Sequence, residues 1–226
     1  MTTLTTRRFA TRAELDTALA ERLAGFVVDS AGASPAVMLS GGTTPLPAYR
    51  TLGARKITPA AQLQVLFSDD RYVPATSPAS NYHQSQPLLE ALALPARNVL
   101  RVRTELPLAA AAADYAARLG TLLTRSAGVG LGLLGLGADG HTASLFGAAD
   151  LERARGQLAI AVQRPDGMSG VSVTPKFLAQ VRELLFVVAG AGKEDAIRRL
   201  MAQDLGLTAW AAVQECSAVT LWVQQD

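Results

Sequence analysis

Apolar residues recur along this chain in two alternating rhythms. Between residues 12 and 30, Leu15, Leu19, Leu23 and Phe26 fall at three- and four-residue spacings, the period of a helix with one buried face. Ala36–Leu39 is instead an unbroken apolar run, the mark of a strand buried on both faces. The pattern predicts a helix over about 45–53, a strand over Gln64–Phe67, a loop rich in Pro, Ser and Asn, and a helix over about 81–92. Residues 99–102 are a weaker strand, the alanine-rich stretch 107–125 is a helix by propensity, and Val129–Leu134 is again a buried strand. Strands over 158–162, 183–189 and 218–223, with a helix over about 194–203, complete the order. Residues 1–11 lack either rhythm and read as a short tail. Arg7-Arg8-Phe9 is followed by Glu14, Asp16, Glu21 and Arg22 rather than by the apolar segment of an export signal.

Continuous apolar strands alternating with helices predict an α/β domain, residues 1–226, with a mostly parallel sheet covered by helices on both faces. In such sheets ligands bind beyond the carboxyl ends of the strands, so the loop after each strand is the place to look for chemistry.

Composition removes several classes of function. Apolar residues make up 49% of the 226 and charged residues 18%, below the roughly 25% of an average chain, which excludes disorder. The 21 basic and 19 acidic residues are interspersed, with a local basic cluster only at Arg97, Arg101 and Arg103, so neither nucleic acid nor a membrane surface is an expected partner. No run approaches the ~18 apolar residues of a membrane span. One cysteine, Cys216, and two histidines, His83 and His141, exclude a disulfide framework and a Cys- or His-rich metal centre, and suit a reducing cytoplasm.

Four strand-following loops carry polar groups. Ser40-Gly41-Gly42-Thr43-Thr44-Pro45 combines glycines that allow close backbone approach with Thr44 as a fitting N-cap and Pro45 at a first helical position; it is an anion cradle, most naturally for phosphate, or else a tight turn with a good cap. No Gly-Lys-Ser/Thr follows, so it is not a Walker A loop. Asp69-Asp70-Arg71, with Ser80-Asn81-Tyr82 shortly after, offers a guanidinium able to clamp a phosphate or polarise a carbonyl, or else a surface ion pair. Gly135-Leu-Gly137-Ala-Asp139-Gly140-His141 contains a formal G-x-G-x-x-G, but in mid-chain and without the acidic partner of a dinucleotide site. Its chemistry lies in His141, which can take a proton from water and return it. Asp139, Asp69 or Asp70 could hold the ring; a histidine that merely caps a following helix is the plain alternative. Lys193, in Gly190-Ala191-Gly192-Lys193, could supply a point charge for phosphate or sit solvated in a first helical turn. His83 reads as a surface residue, Trp210 and Trp222 as packing, and Cys216 as inert.

Taken together and in this order, Leu39-Ser-Gly-Gly-Thr-Thr-Pro45, Asp69-Asp-Arg-Tyr-Val-Pro74 with Ser80-Asn-Tyr82, Leu134 to Phe146 ending Gly-His-Thr-Ala-Ser-Leu-Phe, and Phe186 to Lys193 resemble the 6-phosphogluconolactonase family over about residues 36–223. The resemblance implies a Rossmann-like sheet with additional strands, of the glucosamine-6-phosphate deaminase and ribose-5-phosphate isomerase type. It implies hydrolysis of 6-phospho-D-glucono-1,5-lactone in the oxidative pentose phosphate pathway, with no metal and no organic cofactor. His141 would activate water, Asp139 orient it and Arg71 assist. Ser40, Gly41, Gly42, Thr43, Thr44, Asp69, Arg71, Asn81 and Lys193 would hold the substrate. The expected partner is a small phosphorylated sugar lactone, and the expected state a monomer or weak homodimer. Two departures stand out. Asp70 replaces a usual glutamate, and Gly170 stands where the family usually has an arginine, for which Arg164 is a candidate substitute. Related deaminases carry a glutamate five residues beyond the histidine, where this chain has Phe146. A sugar-phosphate isomerase or deaminase, or a non-catalytic sugar-phosphate binder, are the alternatives.

Overall fold

The computed structural model describes residues 2–28, 36–60, 62–125 and 128–224. In chain order the elements are β1 (Thr3–Phe9), α1 (Arg12–Val28), β2 (Ala36–Leu39), α2 (Leu46–Gly53), β3 (Gln64–Phe67), β4 (Asp69–Arg71), α3 (Asn81–Gln84), α4 (Gln86–Leu92) and β5 (Val99–Leu100). Then come α5 (Leu108–Arg125), β6 (Val129–Leu134), α6 (Ala148–Arg153), β7 (Ala159–Gln163), β8 (Ser169–Val173), α7 (Pro175–Leu178), β9 (Val181–Val188), α8 (Glu194–Met201), α9 (Thr208–Val213) and β10 (Ala218–Gln224). Residues 29 and 30 of the first expected helix lie outside the described residues.

Among the described residues, seven strands form a parallel sheet in the order β1-β10-β9-β6-β2-β3-β5. Successive residues of a strand point to opposite faces, and both faces are filled. Val37, Leu39, Val65, Phe67, Leu131 and Leu133 pack with Leu15, Leu19, Leu52 and Leu88 from α1, α2 and α4. Met38, Leu66, Leu134, Leu184 and Phe186 pack with Tyr115, Leu119, Phe177, Leu200 and Trp210 from the other side. This is the two-faced burial that makes the strands read as unbroken apolar runs.

Several elements differ from the expectation. The supposed tail at residues 3–9 is β1, paired in parallel with β10 from Thr3↔Ala218 to Phe9↔Gln224. Its residues are mostly exposed, so no apolar rhythm marks it; backbone hydrogen bonds and the Phe9–Trp222 contact hold it. The helix expected over 81–92 breaks at Ser85, because Pro87 has no N–H to continue the ladder. β5 stops at Leu100, one pair after it begins beside the short β3. A second, antiparallel sheet, β4-β8-β7, is built from Asp69-Asp-Arg71, from the strand expected over 158–162, which is β7 and joins this sheet rather than the parallel one, and from the Gly- and Ser-bearing β8, which the sequence pattern did not mark. The short helices α6, α7 and α9 likewise lacked a periodic window. Thr44 is not a side-chain cap: α2 starts at Leu46 with Pro45 in the cap position.

Two buried tyrosines brace the strand ends beneath the polar loops. Tyr49 Oη donates to the Ser40 carbonyl at 2.9 Å and accepts from the Ser40 N–H at 3.2 Å. Tyr115 Oη does the same at Phe67, at 2.5 and 3.1 Å. Removing either hydroxyl strands a buried backbone pair, a loss of about 1–3 kcal/mol.

Candidate active site

β2 and β6 are neighbours in the sheet, but the chain leaves β2 toward β3 and β6 toward β9, on opposite sides. Loops diverging from adjacent strand ends open a crevice. A cleft of about 220 Å³ lies there. It is lined by Ser40–Thr44 after β2, by Asp69, Arg71 and Asn81 from β4 and α3, by residues 135–137 and His141 after β6, by Arg164, and by Lys193 after β9. The structure therefore brings all the candidate side chains onto one cleft, with Asp139 directly behind His141.

His141 sits in a tight loop closed by the Gly137 N–H to the His141 carbonyl (2.9 Å) and the Gly140 N–H to the Gly137 carbonyl (3.0 Å). Nδ1 of its ring lies 2.5 Å from Asp139 Oδ1, and the same oxygen accepts the His141 backbone N–H at 3.2 Å. Burial by itself raises the Asp139 carboxyl, but these hydrogen bonds outweigh it and hold it below the usual carboxylate range. With Nδ1–H given to Asp139, the neutral ring presents the Nε2 lone pair. The Phe146 ring packs against the imidazole at 4.6 Å. His141 does not cap a helix, since α6 begins only at Ala148 behind Gly147.

The rest of the Gly-His-Thr-Ala-Ser-Leu-Phe segment is anchoring. Thr142 Oγ1 donates to the Gly135 carbonyl at 2.8 Å, Ala143 takes the left-handed conformation (φ 48°), and Ser144 Oγ donates to Asp69 Oδ2 at 2.6 Å. Ser68 Oγ donates to Asp69 Oδ1 at 2.8 Å. Asp69 is thus committed to fastening the His141 loop to β4, and Asp70 is committed elsewhere. Asp70 accepts from the N–H groups of Arg71, Asn81 and Tyr82 and from Ser80 Oγ, tying down the start of α3. Burial pushes its carboxyl up to about 6 against the pull of those donors. Of the three carboxylates left open by the sequence, Asp139 is the one on the imidazole.

Asn81 Nδ2 donates to the Asp69 carbonyl at 2.9 Å, and its side-chain amide packs where a Cβ at residue 41 would have to go, so position 41 must be glycine. Arg71 Nη1 donates to the Ala79 carbonyl at 2.7 Å. The buried Nε–H of Arg71 and Oδ1 of Asn81 have no partner among the described residues.

The 40–45 loop turns at Gly42 (φ +89°), and its carbonyls are held from outside. Arg12 Nη2 donates to the carbonyls of Thr44 (2.8 Å) and Thr43 (3.3 Å), while Nε donates to Asp16 at 2.8 Å. Arg12 escaped the sequence reading because a charged first-turn residue looks like ordinary helix surface. Lys193 occupies the cap position of α8, and burial, with the Arg12 charge added, pushes its ammonium below its ordinary range. Lys193 thus stands on the cleft wall, while Arg12 braces the loop from behind through its carbonyls.

The remaining expectations have simple locations. His83 is exposed on α3, Trp210 and Trp222 are buried, and Cys216 is buried with its thiol pushed up to about 12 by desolvation. No helix of the described residues is long and apolar enough to cross a membrane.

The sequence matches the family model described as glucosamine-6-phosphate isomerases/6-phosphogluconolactonase over residues 10–222. It is 35% identical over 172 residues to a 6-phosphogluconolactonase of Nostoc sp., covering 74% of this chain and 71% of that one. It is 32% identical over 212 residues to a Homo sapiens 6-phosphogluconolactonase, covering 85% and 80%. The crystal structure of 6-phosphogluconolactonase from Thermotoga maritima superposes with a TM-score of 0.84 at 26% identity, over 99% of this chain and 100% of that one. A monomeric glucosamine-6-phosphate deaminase shares the fold, with a TM-score of 0.79 at 15% identity.

Proposed function

The chain belongs to the glucosamine-6-phosphate isomerase/6-phosphogluconolactonase family, and from that premise we propose that it hydrolyses 6-phospho-D-glucono-1,5-lactone to 6-phospho-D-gluconate. The observation that carries the choice within the family is Phe146, whose ring lies 4.6 Å from the His141 imidazole. An aldose–ketose or deaminase reaction has to move protons between carbons and oxygens of the sugar, which calls for a second acid–base group beside the histidine. An apolar ring there leaves one base, and one base is what ester hydrolysis by water requires.

The phosphate end of the substrate lies on the N–H groups and hydroxyls of residues 41–44, with Lys193 and Arg71 supplying charge. His141, held through Nδ1 by Asp139, takes a proton from water at Nε2 as the water attacks the lactone carbonyl. Arg71 or a glycine N–H of the loops meets the tetrahedral oxyanion; a donor of this kind is worth about 3–4 kcal/mol in the transition state. Protonated His141 then returns the proton to the ring oxygen as the C–O bond breaks, leaving the open-chain acid. The substrate is a free cytoplasmic metabolite on this reading, and the enzyme a monomer or weak homodimer.

The test is acid release from freshly prepared 6-phosphogluconolactone, with spontaneous hydrolysis subtracted. Enzyme-dependent acid release supports the reading. Ammonia release from glucosamine 6-phosphate, or ligand binding without turnover of either compound, would replace it with the deaminase or the non-catalytic binder. Lys193→Ala is expected to raise KM and weaken inhibition by inorganic phosphate roughly tenfold, the scale of one charged hydrogen bond. An unchanged phosphate inhibition constant would remove Lys193 from the anion site.

A further inference from the structure

Arg164 opens the turn between β7 and β8. Its backbone N–H donates to the Met168 carbonyl at 2.8 Å and its carbonyl accepts from the Gly167 N–H at 3.1 Å, which closes the hairpin and sets the side chain on the cleft wall. The side chain is only 12% exposed. Nε and Nη2 each donate to Asp166 Oδ2 at 3.1 Å, Nη1 donates to Ser144 Oγ at 2.9 Å, and the guanidinium lies over the Phe146 ring at 5.3 Å. A guanidinium has five N–H donors. Three are used here, so one N–H on each terminal nitrogen remains for a ligand.

The neighbouring residue explains why this arginine fits. Gly170 faces Arg71 across β4–β8 and Val162 across β7–β8. A Cβ at Gly170 would lie 3.5 Å from Arg164 Cδ, 3.4 Å from Val162 Cγ2 and 3.1 Å from the Asp70 carbonyl. The stem of Arg164 therefore lies against the space that a side chain at 170 would need, and Arg71 stands on the same wall. Arg164 and Arg71 both line the cleft, Arg71 from the strand paired with Gly170. Arg164 keeps two N–H groups beyond its bonds to Asp166 and Ser144, and the buried Nε–H of Arg71 has no partner among the described residues, so this wall offers unfilled donors to an anion. The one permanent charge on the proposed substrate is its phosphate dianion.

We propose that Arg164 is a phosphate-binding residue of the cleft, reaching the anion from the β7–β8 turn across the space left open by Gly170, with Asp166 and Phe146 holding its guanidinium in place. The identity of the phosphate ester rests on the lactonase reading; the anion site does not. The experiment is calorimetric titration of inorganic phosphate and of 6-phosphogluconate into the wild type, Arg164→Ala, Arg164→Lys, Asp166→Ala and the double variant Arg164→Ala/Gly170→Arg, with lactone kinetics alongside. Arg164→Ala is expected to weaken phosphate binding roughly 10–100-fold and to raise KM by more than it lowers kcat. Arg164→Lys recovers part of the affinity. Asp166→Ala, which removes an anchor but no positive charge, keeps it within about threefold. The double variant regains about tenfold over Arg164→Ala. If Arg164→Ala does not fold, Arg164→Gln, which can still donate to Ser144, carries the same expectation. Phosphate affinity unchanged in the folded variant overturns the proposal, as does a wild type that binds no phosphate. A fall in kcat at constant phosphate affinity also overturns it, because the guanidinium would then serve the reacting carbonyl. A wild type that binds phosphate but hydrolyses no lactone ends the lactonase reading and leaves the Arg164 test intact.

Discussion

Replacing His141 with alanine is expected to lower kcat for 6-phosphogluconolactone about 10²–10⁴-fold while KM changes by no more than a few-fold. The split follows from geometry. His141 is fixed by Asp139, Phe146 and its own glycine loop, and none of the groups that would hold the phosphate depends on the imidazole. Residual activity stays above the spontaneous rate because oxyanion donors and substrate positioning survive. The acid limb of the wild-type pH profile should have the slope of a single proton. Asp139 is held below the usual carboxylate range, so it is already ionised wherever a neutral imidazole exists. The sign is that of a depressed carboxylate: the small stabilisation from the pair is present above the unfolded-state pKa and is lost as pH falls through the folded one, weakened by the exposure of Asp139. Near-normal turnover in His141→Ala, with correct folding, would remove His141 from the role of base.

How much of this was legible in the sequence follows from what each residue has to do. Strands β2, β3, β6, β9 and β10 could be read directly because burial on both faces forces an apolar residue at nearly every position. β1 was missed for the converse reason: an edge strand with Thr and Arg side chains in water is held by its backbone, and backbone pairing leaves no mark on composition. β4 and β8 were missed because Asp69, Asp70 and Arg71 are committed to polar contacts at a sheet end and Gly170 has no side chain to pack, both against strand propensity. The glycine, histidine and lysine of the site stood out because such residues are unusual just after buried strands. Their pairing did not. Asp139 was the expected partner of His141, but Asp69 and Asp70 stayed open until Asp69 proved to bind Ser68 and Ser144, and Asp70 the start of α3. Arg12 touches carbonyls 31 and 32 residues away and has no local signal at all.

Gly137→Ala is expected to reduce kcat nearly as far as His141→Ala while leaving the fold intact. The backbone at Gly137 is not left-handed, so an alanine there is not strained. Its Cβ, however, would overlap Nδ1 of His141 and Oδ1 of Asp139, the two atoms of the dyad hydrogen bond. Either the imidazole or the carboxylate must swing away, and misplacement of a general base by about 1 Å can cost on the order of 10²-fold. Gly140 provides the contrast: φ is +83° and a Cβ would overlap Leu207, so Gly140→Ala costs stability by backbone strain and overpacking before it touches catalysis. Thermal unfolding beside steady-state kinetics separates the two glycines. The decisive measurement is the double variant. With His141 already alanine, the new methyl has no imidazole to displace, so Gly137→Ala should add little to the loss. A full additional decrease in kcat would mean that Gly137 acts on something other than the dyad, and the steric account of this loop would have to be abandoned.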